Sequence, residues 1–206
     1  MPSTSPTICR GSPEVELMSV RGRVAEAMTS VTRADFLPAD LREHAAEDVP
    51  LRIGHGATNS QPSTVAAMLE LLDPRPGDRV LDVGAGSGWT TALLAHLVGA
   101  GGQVLGVELV PELATAAADL LARRGVGTAT VETARVDVLG APGRGPFDRI
   151  LVSAMARAVP DELVDQLADG GRLVVPVQGR MLVVDRSGQH VTTTTAPGYY
   201  RFVPLR

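Results

Sequence analysis

An α/β fold, with a mostly parallel sheet covered on both faces and an antiparallel C-terminal edge, is predicted by two patterns in the sequence and one change of pattern. Short Val, Ile and Leu runs such as "RVLDVG", "GQVLGVE" and "DRILVSA" read as strands buried on both faces. Helix-like segments alternate with these runs, as in successive βαβ units. From Gly179 the alternation stops, because "GRMLVVDRSGQHVTTTTA" joins its strand runs through "DRSGQ" with no helix between, as a hairpin does.

Residues 1–13 are rich in Ser, Thr and Pro, which leaves little to bury, and they are expected to form a flexible arm. A single domain is expected over 14–206, opening with a helical portion at 14–60. Within it, Val15, Met18, Val24 and Met28 predict a helix from Glu14 to Met28, weakened by Gly22. "VTRADFLPADLREHAA" predicts turns and a short helix anchored by Phe36 and Leu37. Val65, Met68, Leu69 and Leu72 recur on one helical face, and "DPRPGD" ends that helix. The strand "RVLDVG" leads through a glycine-rich turn into the helix "WTTALLAHLV", then the strand "GQVLGVE". "PELATAAADLLARR" is a helix with Pro111 at its first turn, Glu112 at its positive end and Arg123 and Arg124 at its negative end. "TATVET" and "DRILVSA" are strands, "PDELVDQLA" a short helix and "GRLVVPV" a strand. "YYRFVPLR" is expected as a final strand, with Pro204 tolerated at an edge.

Composition removes several function classes. With 19 basic and 23 acidic residues the chain carries a formal charge of -4, and only 3% of it is aromatic, so nucleic acid is not the expected partner. Cys9 is the sole cysteine, which rules out an internal disulfide and a cysteine-based metal site and suits a reducing compartment. His44, His55, His96 and His190 show no metal-ligand spacing. Neither a secretory signal nor a membrane-spanning run is visible, so the cytoplasm is the expected location. No pattern speaks to oligomeric state.

The chemistry concentrates in two stretches. "LDVGAGSGW" places Gly84, Gly86 and Gly88 between a strand and a helix, where glycine permits a tight turn and close approach by a ligand. A dinucleotide fingerprint wants glycine where Trp89 stands, and no Gly-Lys-Ser/Thr is present to hold a triphosphate. Asp82 and Glu108 end the first two strands of the alternation. Glu108 can accept from both ribose hydroxyls, and Asp82 suits a ligand with cationic groups, such as an adenosyl sulfonium with an amino-acid tail. The plainer reading is that both are strand-end acids beside an ordinary turn. The second stretch is "IGHGATNSQP". Its Ser60 reads either as an N-cap, or a neighbour of a cap at Ser63, for the helix carrying Val65, or as a polar group facing a substrate.

"LDVGAGSG" resembles the first motif of class I S-adenosylmethionine-dependent methyltransferases, with Glu108 at the position of their ribose-binding acid. "VTRADFLP", "DVPLRIGHGATNSQP", "PGDRVLDVGAGSGWTTALLAHLVG", "GVELVPELA", "GPFDRILVSA", "GGRLVVPV" and "FVPL" extend that resemblance, in order, to the protein-L-isoaspartate O-methyltransferase family. The resemblance implies a doubly wound, Rossmann-like methyltransferase fold. It also implies methyl transfer from S-adenosylmethionine, without a metal, to the free carboxylate of an isoaspartyl residue in a protein or peptide. The ester then closes to a succinimide that reopens partly to aspartate.

On this resemblance, Ser60 holds the acceptor carboxylate, with Gly56, Ala57, Thr58, Asn59 and Arg157 near the substrate. Cofactor contacts fall on Asp82, Gly84, Ala85, Gly86, Gly88, Glu108, Leu109 and Asp137. Three departures stand out. Asn59 replaces the usual Ile, "RVD" replaces a Gly-Asp-Gly turn, so that the adenine-side acid is either Asp137 displaced by one or absent, and "SAMARAVP" brings in Arg157. They motivate two alternatives: a carboxyl methyltransferase that converts a normal aspartate to an aspartimide in a biosynthetic pathway, and a non-catalytic binder of S-adenosylmethionine. An ionised carboxylate is already nucleophilic, so alignment and desolvation, not a general base, are what the reaction asks of the protein.

Overall fold

The structure, a computed structural model, describes residues 18–206. The expected N-terminal arm and the first residues of the expected first helix lie outside the described residues. Helix α1 spans Val20–Ser30, later than the expected 14–28, because the Ser19 side chain caps it by accepting from Gly22 N–H at 3.2 Å. Val24 and Ala27 form its buried face, and Met18, expected there, precedes the helix and is 51% exposed. Two 3-10 turns follow at Arg33–Phe36 and Ala39–His44, and Phe36 and Leu37 are buried as their isolation in a polar stretch predicts.

The largest difference from expectation lies in the next stretch. Residues 51–59 fold as an antiparallel hairpin, β1 (Leu51–Gly54) with β2 (Ala57–Asn59), rather than as part of a helical portion. Its turn uses positive φ at Gly54, His55 and Gly56, and Leu51 and Ile53 alternate inward. Helix α2 (Pro62–Leu72) then buries Val65, Met68, Leu69 and Leu72, the four positions its spacing picks out.

The main sheet has seven strands: β3 (Arg79–Val83), β4 (Gln103–Glu108), β5 (Ala129–Thr133), β6 (Phe147–Val152), β7 (Leu167–Val177), β8 (Arg180–Ser187) and β9 (His190–Ala196). Their order is β5-β4-β3-β6-β7-β8-β9, parallel through β7 and antiparallel beyond it. Helices α3 (Trp89–Val98) and α4 (Pro111–Arg123) join α1 and α2 in one core against Val80, Val104 and Leu151. On the opposite face, Leu81, Leu105 and Ile150 pack under α5 (Asp161–Val164), Leu139, Ala141 and Leu205. The expected short helix is thus one turn, since Leu167 already begins a strand. "YYRFVPLR" adds no strand to the sheet. The tail crosses the strand ends, held by one bridge of Pro204 to Met155 and by hydrogen bonds from Met155 N–H to Val203 O (2.7 Å) and Leu205 N–H to Met155 O (2.8 Å).

Strand order reverses around β3, so loops leaving the carboxyl ends of β3, β4 and β6 open onto a common crevice. Among the described residues, no helix is long and apolar enough to cross a membrane, and no cluster of His, Cys, Asp and Glu could hold a metal ion.

Candidate functional site

The glycine-rich loop is shaped by its backbone. Gly84, Gly86 and Gly88 have φ of +83°, +54° and +83°, a region that side chains with a Cβ rarely enter. A Cβ at Gly88 would stand 3.1 Å from Ala117 Cβ, and one at Gly86 would stand 3.2 Å from Ile53 Cδ1. The loop therefore nests between α4 and the β1–β2 hairpin. Glu108, only 8% exposed, fixes it from β4: one carboxylate oxygen accepts from Gly86 N–H at 2.9 Å and the other from Val110 N–H at 3.0 Å. Each oxygen retains acceptor capacity for a vicinal diol.

These residues border a cavity of about 200 Å³. Val83, Gly84 and Gly86 form one side, Val107, Glu108, Leu109 and Val110 another, and His55 to Thr58 close it from the hairpin. Ala134, Val138 and Leu139 supply an apolar wall, and Glu108 a carboxylate, to the same cavity. Ala85 lies buried inside the loop, its N–H bonded to Val107 O.

Two acids expected at this cavity stand elsewhere. Asp137 is exposed on the turn after β5 and borders an open groove that shares Val138, Leu139, Leu205 and Arg206 with the cavity; Arg135, Val138 and Leu139 line the cavity itself, and Asp137 does not. Asp82 lies beneath the glycine-rich loop, 0% exposed, and is not on the cavity wall. Its Oδ2 accepts from Thr91 Oγ1 at 2.7 Å and its Oδ1 has no partner. Burial pushes this carboxyl up to about 7, opposed by the Thr91 hydrogen bond and reinforced by the Glu108 charge.

A second cavity, of about 340 Å³, adjoins the first. Pro50, Thr58, Ser60, Gln61, Thr64, Ser153 and the tail from Tyr199 to Val203 line it. Thr58, Ser153 and Val203 border both cavities, so the two meet at the end of β2. Ser60 does not cap α2. The helix begins after Gln61, with no capping side chain there, and Ser63 N–H donates to Asp48 Oδ1 at 2.9 Å, while Gln61 Nε2 donates to Asp48 Oδ2 at 2.9 Å. Asp48 does the work expected of Ser60 or Ser63, and the Ser60 hydroxyl is left on the wall of the cavity.

Gly56, Ala57 and Thr58 border the first cavity from the hairpin tip, but two other expected substrate contacts differ. Arg157 is exposed on the loop after β6, in the same open groove of about 1040 Å³ as Asp137, and does not border the Ser60 cavity. Asn59, 5% exposed, directs its amide inward. Its Oδ1 accepts from Arg33 Nε at 2.7 Å and its Nδ2 donates to Ser87 Oγ at 3.0 Å.

Arg33 is the structural residue that the sequence reading missed. It is buried, and besides Asn59 Oδ1 it donates to the main-chain oxygens of Ala45, Glu47, Val49, Asn59 and Ser60 at 2.8–3.2 Å. Its guanidinium carbon lies 5.5 Å from the Trp89 ring centroid. Desolvation lowers its proton affinity, opposed by Asp48 and Glu47. Ser153 and the Tyr199–Val203 tail also went unseen, since their part in the site depends on contacts distant in sequence. The Ser153 position at a parallel strand's carboxyl end was the available signal.

The family model for protein-L-isoaspartate(D-aspartate) O-methyltransferase matches residues 15–206. A protein-L-isoaspartate O-methyltransferase of Methanopyrus kandleri is 45% identical over 187 residues, covering 89% of this chain and 83% of the relative. One from Methanocella arvoryzae is 47% identical over 182 residues, covering 86% and 95%. Among solved structures, a Plasmodium falciparum protein-L-isoaspartate O-methyltransferase in complex with S-adenosyl-L-homocysteine superposes with a TM-score of 0.77 at 26% identity, covering 89% of this chain and 90% of that one.

Proposed function

Because this chain belongs to the protein-L-isoaspartate O-methyltransferase family, an S-adenosylmethionine-dependent methyltransferase acting on isoaspartyl residues of proteins, we propose that its two adjoining cavities hold the cofactor and the acceptor carboxylate. The observation that carries this reading is their junction at Thr58 and Ser153, with the Ser60 hydroxyl on the acceptor side and the Glu108 carboxylate on the cofactor side. When bound, the cofactor supplies an electrophilic methyl group whose bond to sulfur breaks as the acceptor oxygen forms its new bond to carbon, leaving the neutral thioether S-adenosylhomocysteine.

The chain's own residues supply position. Glu108 takes the ribose diol, Gly84, Gly86 and Gly88 let the backbone approach the ligand, and Ala85 and Leu109 shape the surrounding wall. Ser60 Oγ donates to one acceptor oxygen in the second cavity, where Thr58 and Ser153 lie on the side facing the cofactor cavity. A hydrogen bond strong enough to neutralise that carboxylate would blunt its attack, so Ser60 orients one oxygen while the other faces the methyl. Asp82, raised toward neutrality, cannot be counted as a full negative charge at pH 7 before a cation binds nearby.

Asn59 is turned inward, and Arg157 lies outside the acceptor cavity, so neither supports a changed acceptor. Methyl incorporation into matched peptides that differ only in isoaspartate against aspartate tests the reading. Preference for the isoaspartyl peptide supports it; equal or greater turnover of the aspartyl peptide overturns it in favour of aspartate methylation. Binding of S-adenosylhomocysteine with no turnover of either peptide would make the chain a non-catalytic binder.

A further inference from the structure

We propose that Asn59 is a positioning residue that ties the acceptor loop to the cofactor loop through Ser87, setting Ser60 in line with the methyl donor. The proposal rests on the assignment of Ser60 above. Its basis is a hydrogen-bonded path that spans both halves of the site. Ser87 belongs to the glycine-rich loop, between Gly86 and Gly88. Its Oγ accepts from Asn59 Nδ2 at 3.0 Å, Asn59 Oδ1 accepts from Arg33 Nε at 2.7 Å, and an Arg33 Nη donates to Ser60 O at 3.0 Å.

The chemistry of the three groups fixes the direction of this path. A guanidinium has donors only, so the Asn59 oxygen must face Arg33, and its NH₂ group must then face Ser87. Inversion of the amide would set donor against donor at one end. The tie is therefore directional and, because Asn59 and Arg33 are buried, shielded from competing water. Ser60 follows Asn59 in the chain, so its hydroxyl inherits the frame that this amide sets. An apolar side chain of similar size would fill the same space without linking the two loops.

Displacement of the acceptor by a fraction of an ångström changes alignment with the methyl while leaving the cofactor's own contacts in place. Cutting the tie should thus lower kcat more than cofactor affinity. Two groups acting as one link should also be strongly non-additive.

The experiment uses the full chain, an isoaspartyl peptide and four variants: Ser87→Ala, Ser87→Thr, Asn59→Ile and the Ser87→Ala/Asn59→Ile pair. Measured quantities are kcat at saturation, the S-adenosylhomocysteine Kd by calorimetry and the melting temperature. Ser87→Ala and Asn59→Ile should each lower kcat by about tenfold, with Kd changed less than about threefold. Ser87→Thr, which retains the hydroxyl, should restore most of the rate, and the double variant should be no slower than the worse single one. The proposal is overturned if Ser87→Ala keeps kcat within about twofold of the parent, if it weakens S-adenosylhomocysteine in parallel with kcat, or if the two losses multiply. Should Asn59→Ile fail to fold, the Ser87→Ala and Ser87→Thr pair decides, since it alters only the outer end of the path. Full turnover in Ser60→Ala would remove the Ser60 assignment and, with it, the group that the tie is said to position; an impaired Ser60→Ala beside an unimpaired Ser87→Ala removes the tie alone.

Discussion

The glycine-rich loop at Gly84–Gly88 and the stretch Ile53–Pro62 meet across one junction, yet they are built in opposite ways. The first takes its shape from strand, positive-φ glycines and helix, all within a few residues, with Glu108 as its main outside support. The second takes its shape from afar: Arg33 holds its carbonyls, Asp48 caps the helix after it, and the tail at Tyr199–Val203 walls its cavity. A backbone-built loop suits a ligand whose covalent structure never varies. A loop held by distant tethers makes the acceptor side the one that single substitutions can disconnect.

The largest expected effect is therefore on the tethered side. Replacing Arg33 by Met leaves several partly buried carbonyls and the buried Asn59 Oδ1 without a donor and should cost about 3–5 kcal/mol in denaturant unfolding. Lys should recover only part of this, because a point ammonium cannot reach acceptors on both edges of the guanidinium plane. A loss within the range of a surface substitution would show that the hub does not hold the loop.

On the backbone-built side, Asp82 gives a pH test. Its carboxyl is raised to about 7 in the folded chain, so between about pH 4 and 7 the unfolded state is ionised while the folded state keeps its proton. Stability contributed by Asp82 is therefore full below about pH 4 and declines as pH rises through 7, by on the order of 4 kcal/mol in all. Asp82→Asn should remove that decline when unfolding free energies at pH 5 and pH 8 are compared. An unchanged slope would mean that another group sets it. Glu108→Ala, which deprives Gly86 and Val110 of their acceptor, should weaken S-adenosylhomocysteine by about 100-fold in calorimetry. Asp48→Ala, at the tethered loop's exposed cap, should lower the melting temperature by only about 3 °C, with cofactor affinity unchanged.

The same contrast explains what was legible in the sequence. The β3–Gly84–α3 unit is a local pattern, and so is the Val65–Leu72 face of α2; both stand where their periodicity puts them. Arg33 sits in a 3-10 turn with no repeating pattern, and its acceptors come from residues 45–60, so nothing nearby marks it as buried. Asn59 read as a polar intrusion on a substrate surface because its two partners are 26 and 28 positions away. "YYRFVPLR" carries strand-like composition, yet it runs across strand ends, where Pro204 makes a single bridge and Val203 faces the site. Local physics therefore predicted the glycine-rich loop, though not the places of Asp82 and Asp137, and distant hydrogen bonds decided the stretch Ile53–Pro62.

Ser60→Ala tests the division most directly, through kcat for an isoaspartyl peptide and the S-adenosylhomocysteine Kd measured on the same preparation. Loss of the acceptor's hydrogen-bond donor should lower kcat by about 30-fold, with Kd held within about twofold. Undiminished turnover, or a loss of cofactor affinity as large as the loss of rate, would contradict the assignment of Ser60 to the acceptor carboxylate.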